Sequence, residues 1–314
     1  MSCNDDSASR FAGRSSRLGN VMRARSHSAE LVTLRSSRGL QLHGILYSQA
    51  GQDTTIIHVH GSFGNFYANP IIPVMARIYG SAGISFLSIN VSAHDGLAEG
   101  DRNGVFEYVG GSRTDFTECL YDLEGAVAFA RTFSERIVLQ GHSLGCDRVL
   151  HYLLNSSTGC DVVLLSPCDS YQLQTDWLAP ETVEEQIHRL KNQSPSDLEF
   201  DWLPAREYGV KGEGDWTYVI PITRRAFLSI AEGPPYRLMK IRAPADFRIE
   251  RRALIYIGGK DALQVWPHEV MFSYLRERIS HVEEVYVPSG DHMLGGCEEA
   301  VAARIAQWVS KAVG

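Results

Sequence analysis

Residues 137–147 read IVLQGHSLGCD, an apolar run and a glutamine followed by Gly141-His142-Ser143-Leu144-Gly145. The apolar run ends on glycine and has the length of a buried strand, and residues 144–154 carry a helical pattern. A serine at such a strand-turn-helix junction has its hydroxyl raised above the carboxyl edge of a sheet. Glycines on either side fit sterically, because side chains there would collide within the turn and obstruct a substrate. The pentapeptide alone is a weak signal, since a serine that merely caps its helix looks the same. The flanking strand and helix carry the reading.

Working outward, AELVTL and LQLHGILY flank Arg38-Gly39 and read as a hairpin. TTIIHVHG at 54–61, ISFLSINV at 84–91, RIVLQG, DVVLLS, ALIYIGG at 253–259 and EEVYVP at 283–288 are strand candidates. Helical spacing appears in 70–83, in a segment with Leu120, Leu123, Val127 and Ala130 on one face, after Ser143, and in CEEAVAARIAQWVSKAV. Strand and helix alternate, the signature of a mainly parallel sheet covered on both faces. Residues 93–112 read as a polar, Gly-rich loop. The alternation stops after Ser166-Pro167, and residues 168–250, with acidic helical fragments and Trp177, Trp202, Trp216 and Tyr218 but no strong buried-strand run, read as an insertion. The expected organisation is a tail over 1–29, a core formed by 30–167 and 251–314, and a cap over 168–250.

Composition narrows the chemistry. With 44% hydrophobic and 21% charged residues in 314, the chain is an ordinary globular one, and no apolar run reaches the length of a membrane span. A net charge of −7 offers no basic field for nucleic acid or anionic lipid, so the expected partner is a small-molecule acyl substrate. Oligomeric state is not legible. Cys3, Cys119, Cys146, Cys160, Cys168 and Cys297 lack metal-ligand spacing and read as reduced thiols of a cytoplasmic protein; neither metal nor cofactor is called for. The tail is rich in Ser and Arg and has no apolar core of a secretory signal, and Asp5 and Asp6 run against a transit peptide, so it is expected to be disordered.

A serine hydroxyl is a weak nucleophile until a base takes its proton and a carboxylate orients that base. In this setting the three follow in the order serine, acid, histidine, the last two each beyond a later strand. Asp261 in GGKDAL and His292 in SGDHML occupy those places. His94 comes too early in the chain, and His142, next to the serine, is expected to point away from it. Asp261 is preferred over Asp246, and over Asp291, which is too near His292 in sequence to reach back to its ring. The oxyanion of acyl transfer needs N–H donors: Leu144, after the nucleophile, and Ser62 in His60-Gly61-Ser62-Phe63-Gly64-Asn65, with Phe63 as the alternative.

HGSFGN, GHSLG, GGKDAL and GDHML, in that order, resemble the α/β-hydrolase superfamily over residues 30–312. The resemblance implies an eight-stranded, mostly parallel sheet with a helical cap insertion, a Ser143-Asp261-His292 triad and an acyl-enzyme mechanism on a carboxylic ester or thioester, like that of small intracellular esterases. Loops of this family after the fourth strand often read Arg-Gly-His-Gly; here the text is Ala93-His94-Asp95-Gly96. An acyltransferase or cyclase would use the same triad, and a non-catalytic binding protein could retain the fold.

Overall fold

The computed structural model describes residues 28–48, 51–173, 183–192, 200–205, 218–241 and 246–311. The tail expected over 1–29 lies outside them apart from Ser28 and Ala29, which already pair with Ser48 and Tyr47. Strands β1 (Ser28–Arg35) and β2 (Gln41–Ser48) form the expected hairpin, turning at Gly39 with φ 83°. There follow β3 (Thr54–Val59), α1 (Ile71–Ser81), β4 (Ser85–Ile89), β5 (Ala98–Arg102), β6 (Val105–Val109), α2 (Cys119–Ala130), β7 (Arg136–His142), α3 (Leu144–Asn155) and β8 (Asp161–Leu165). Between β8 and the next strand of the sheet lie α4 (Val183–Asn192), β9 (Phe200–Ala205), β10 (Tyr218–Thr223), α5 (Arg224–Ala231) and α6 (Pro234–Leu238). The chain then returns through β11 (Ile249–Gly258), α7 (His268–Arg276), β12 (Ile279–Val287) and α8 (Glu298–Ser310).

Eight strands form one sheet in the order β1-β2-β4-β3-β7-β8-β11-β12, parallel from β4 to β12. The pleat sends consecutive residues to opposite faces. Ile56, Val138, Val163 and Leu254 join the layer under α1 and α8, while Ile57, Leu139, Leu164 and Ile255 join the layer under α2, α3 and α7. Strands buried on both faces need apolar residues at every position, which is why these segments read as continuous apolar runs.

Two elements depart from the sequence reading. Residues 98–109, expected as loop, form the β5–β6 hairpin, with Asn103 at φ 55° and Gly104 at φ 84° in its two-residue turn. That Asn-Gly pair between alternating residues is a strong local hairpin signal. Strands β9 and β10 pair antiparallel as a separate ribbon. Their signal was masked by Pro204 and Pro221, which central strands exclude but a two-stranded ribbon, all edge, tolerates. The side chains of Trp177, Trp202, Trp216 and Tyr218 lie outside the described residues. Among those described, no helix is long and apolar enough to cross a membrane.

His58 is wholly buried in the middle of β3 and accepts a hydrogen bond at Nδ1 from Gln140 Nε2, 2.9 Å away. Burial, and secondarily His142, push its pKa down to about 3. The unfolded chain therefore binds a proton near the ordinary histidine pKa that the folded chain refuses, so stability falls as pH drops below about 6.5. Asp122 works in the opposite direction: burial raises it to about 6, a contribution present at low pH and lost as pH rises through that value. We expect urea unfolding to show His58 costing on the order of 2 kcal/mol at pH 5 relative to pH 7. His58→Gln should flatten the pH slope by that amount; an unchanged slope would mean that His58 is protonated in the fold.

Candidate active site

Ser143 sits between β7 and α3 at φ 55° and ψ −128°, a region that side chains rarely occupy and that is held only where the surroundings enforce it. Its N–H donates to Leu165 O at 2.9 Å, tying the turn to β8. The close approach explains the glycines. A Cβ at Gly145 would lie 2.2 Å from Val59 O, and one at Gly141 would lie 2.4 Å from Gly145 O. Only without those atoms can the first turn of α3 cross the end of β3.

Neighbouring parallel strands β11 and β12 carry Asp261 and His292 just past their carboxyl ends, so two side chains 31 residues apart meet. His292 Nδ1 lies 2.9 Å from Asp261 Oδ2 and 3.0 Å from Oδ1. The Asp261 side chain is fully buried, and its Oδ1 also accepts from Leu263 N at 2.9 Å. The rivals are engaged elsewhere. Asp246 is 3.8 Å from Arg237, Asp291 Oδ1 accepts from the Met293 and Gly295 amides, and His94 pairs with Asp95 at 2.7 Å. Among the described residues no hydrogen bond joins Ser143 Oγ to His292, yet both border one cavity of ≈ 610 Å³, as do Ser62 and Leu144.

His142 has a part that its sequence position did not disclose. Its Nε2 donates to the His292 carbonyl at 2.8 Å, and Ser166 Oγ donates to the same oxygen at 3.1 Å. A carbonyl can only accept, so His142 is protonated at Nε2; burial and the neighbouring His292 push its pKa down to about 4 and keep the ring neutral. The backbone of His292 is thereby held from two sides.

The loop after β3 is clamped in the same manner. Arg148, five residues after Ser143 and 2% exposed, sends Nη1 to His60 O at 2.6 Å and to Gly61 O at 3.1 Å. His60 Nδ1 donates to Gly61 O at 2.9 Å, while its Nε2 accepts from Val91 N at 3.3 Å, which settles the neutral tautomer. Gly61 O and Ser62 N belong to one planar trans peptide, so fixing the carbonyl directs the Ser62 N–H the opposite way. That N–H makes no backbone hydrogen bond among the described residues. Leu144 opens α3, and its N–H is one of those a helix start leaves without an intrahelical acceptor. Phe63 stands at φ 50°, with its ring packed against the small apolar cluster of Val183, Leu190, Ile222 and Phe227. Neither Arg148 nor His60 was singled out from sequence, because a histidine and an arginine next to common motifs have no local mark of their tertiary partners.

No protein-family model and no curated protein sequence matches the chain. Solved structures do. The esterase Pf2001 of Pyrococcus furiosus is 16% identical, with 92% of this chain and 94% of that one covered and a TM-score of 0.57. Est1E from Butyrivibrio proteoclasticus, with ferulic acid bound, is 15% identical over 88% of this chain and 98% of that one, at a TM-score of 0.58. The esterase domain of a Rhodothermus marinus protein is 15% identical over 90% and 98%, at 0.55. At such identities the likeness is one of fold, and it agrees with the sheet order: the chain has the α/β-hydrolase fold.

Proposed function

We propose that the chain is a serine hydrolase that cleaves a carboxylic ester or thioester of a small organic molecule through an acyl-enzyme on Ser143. His292, paired with the buried Asp261 carboxylate and bordering the same cavity as a serine held in a strained turn, is the observation that carries the proposal. Ser143 Oγ attacks the carbonyl carbon while His292 Nε2 takes the hydroxyl proton, and Asp261 holds Nδ1–H and steadies the imidazolium. The negative charge that develops on the carbonyl oxygen is received by the N–H groups of Ser62 and Leu144. Collapse expels the alcohol or thiol with the proton from His292. Water, deprotonated by His292, then attacks the acyl carbon and releases the acid, restoring Ser143.

Residues 168–250 act as a cap in this scheme. Leu173, Ile222, Phe227 and Ile230 border the cavity opposite the sheet edge, giving an apolar enclosure suited to an organic acyl group. The structural neighbours that carry the name esterase support ester hydrolysis as the reaction class. Cys119, Cys146, Cys160, Cys168 and Cys297 are buried free thiols, in keeping with a reducing compartment such as the cytoplasm.

The test is covalent labelling by a fluorophosphonate with the adduct mapped by mass spectrometry, alongside turnover of esters that vary in acyl and alcohol parts. Label on the Ser143 peptide with ester turnover is expected; label on any other serine overturns the assignment. Added alcohol or amine acceptors should leave the free acid as the main product, whereas their acylation in preference to water would make the chain a transferase. The loop geometry has its own test. A methyl on Gly61 would lie 2.8 Å from Ser143 Cβ and 3.2 Å from its Oγ. Gly61→Ala should therefore lower kcat by about 100-fold through misplacement of the nucleophile and the oxyanion loop, while circular dichroism stays unchanged.

A further inference from the structure

Arg148 carries a charge that the proposed hydrolysis uses only through Nη1, which holds the loop after β3. It borders the cavity that holds Ser143, and it is 2% exposed. Among the described residues only Nη1 has acceptors, the carbonyls of His60 and Gly61. Nε is enclosed without any hydrogen-bond partner, and Nη2 has none among the described residues either. Nη2 is not among the enclosed atoms and is the donor left at the cavity wall, where a carboxylate oxygen can engage it. No carboxylate of the described residues lies within ion-pair distance. Asp122 and Asp147 lie near enough to act on Arg148 through charge, but Asp122 gives Oδ2 to the amide and hydroxyl of Ser92, Asp147 accepts from Ser170 Oγ, and neither pairs with the guanidinium. The other formal charges at the cavity, Lys260 and Asp291, are exposed.

A guanidinium so nearly buried, with Nη2 unpaired at the cavity wall, is costly unless an anion completes it. Holding two loop carbonyls accounts for Nη1 and leaves Nη2 unexplained. We propose that Arg148 anchors a carboxylate carried by the substrate, so that the ester taken by this site is a hemiester or a similar compound with an anionic group a few bonds from the reacting carbonyl. This rests on the serine-hydrolase reading and narrows its substrate class. The apolar lining strengthens the selection: it excludes water that would otherwise screen the pair, and it gives an anion nowhere else to bind.

The test compares isosteres. The monomethyl esters of succinate, glutarate and adipate are measured against the methyl esters of the matching mono-amides, and acetoxyacetate against acetoxyacetamide places the carboxylate on the alcohol side. The wild type should favour the carboxylate form by at least about 30-fold in kcat/KM for one chain length or one side. Arg148→Met should abolish that ratio; any loss shared by both isosteres reports the loop clamp, which Arg148→Lys should partly restore. Equal rates for every carboxylate–amide pair in the wild type would overturn the proposal, as would an Arg148→Met protein that keeps the ratio. The wild-type comparison decides even if Arg148→Met does not fold. Fluorophosphonate labelling of Ser143 separates the two levels: label without carboxylate preference sinks this inference alone, and no label sinks the hydrolase reading beneath it.

Discussion

Ser143→Ala should lower kcat on a short p-nitrophenyl ester by about a millionfold, to the level that binding and oxyanion donors sustain without a nucleophile. The size follows from how the three side chains act together. Without Oγ, the imidazole has no serine proton to take, and the carboxylate orients a base that lacks its task. The same substitution should abolish fluorophosphonate labelling. The fold should be indifferent to it, because Oγ makes no hydrogen bond among the described residues, and what holds the turn is backbone, Ser143 N to Leu165 O and Cys146 N to Ser143 O. Alanine meets the same strain at φ 55° as serine, so the thermal midpoint should move little. Stopped-flow turnover and a thermal melt on the same preparation check both halves. Activity within a hundredfold of wild type with an intact melt would place the nucleophile elsewhere.

Asp261→Asn should cost about 10⁴-fold in kcat without loss of structure. Leu263 N donates to Oδ1, so that position must remain an acceptor and the asparagine carbonyl will occupy it. The amide nitrogen then stands where Oδ2 was, 2.9 Å from His292 Nδ1. Facing a donor, Nδ1 must give up its proton, and the proton moves to Nε2, the atom required as base. The imidazole is held in place but in the wrong tautomer. Asp246→Asn is the control: that carboxylate pairs with Arg237 on the surface, and its loss should leave turnover near wild type. The imidazole proton resonances of His292 would report the tautomer directly. Near-normal turnover by Asp261→Asn would hand the orienting part to another carboxylate.

Much of this molecule is written locally in its chain. The alternation of apolar strands and amphipathic helices defines a doubly covered parallel sheet because pleat and helix periods act between near neighbours. Gly141 and Gly145 announce the turn around Ser143 for the same reason, and position beyond a strand end was enough to nominate Asp261 and His292. The Asn103-Gly104 hairpin is equally local, but its polar, Gly-rich surroundings hide the strand alternation. Other features had no local mark. Whether Asp261, Asp246 or Asp291 would meet His292 depended on which strands become neighbours. Which way the Ser62 N–H points depended on the Gly61 carbonyl being held by His60 and by Arg148, 87 residues further on. The clamp of His142 on the His292 carbonyl spans 150 residues. Periodicity and steric fit between adjacent residues thus settled the layers and the elbow from sequence alone, while the direction of each polar group was decided only when folding excluded water and left every buried donor to find an acceptor from a distant part of the chain.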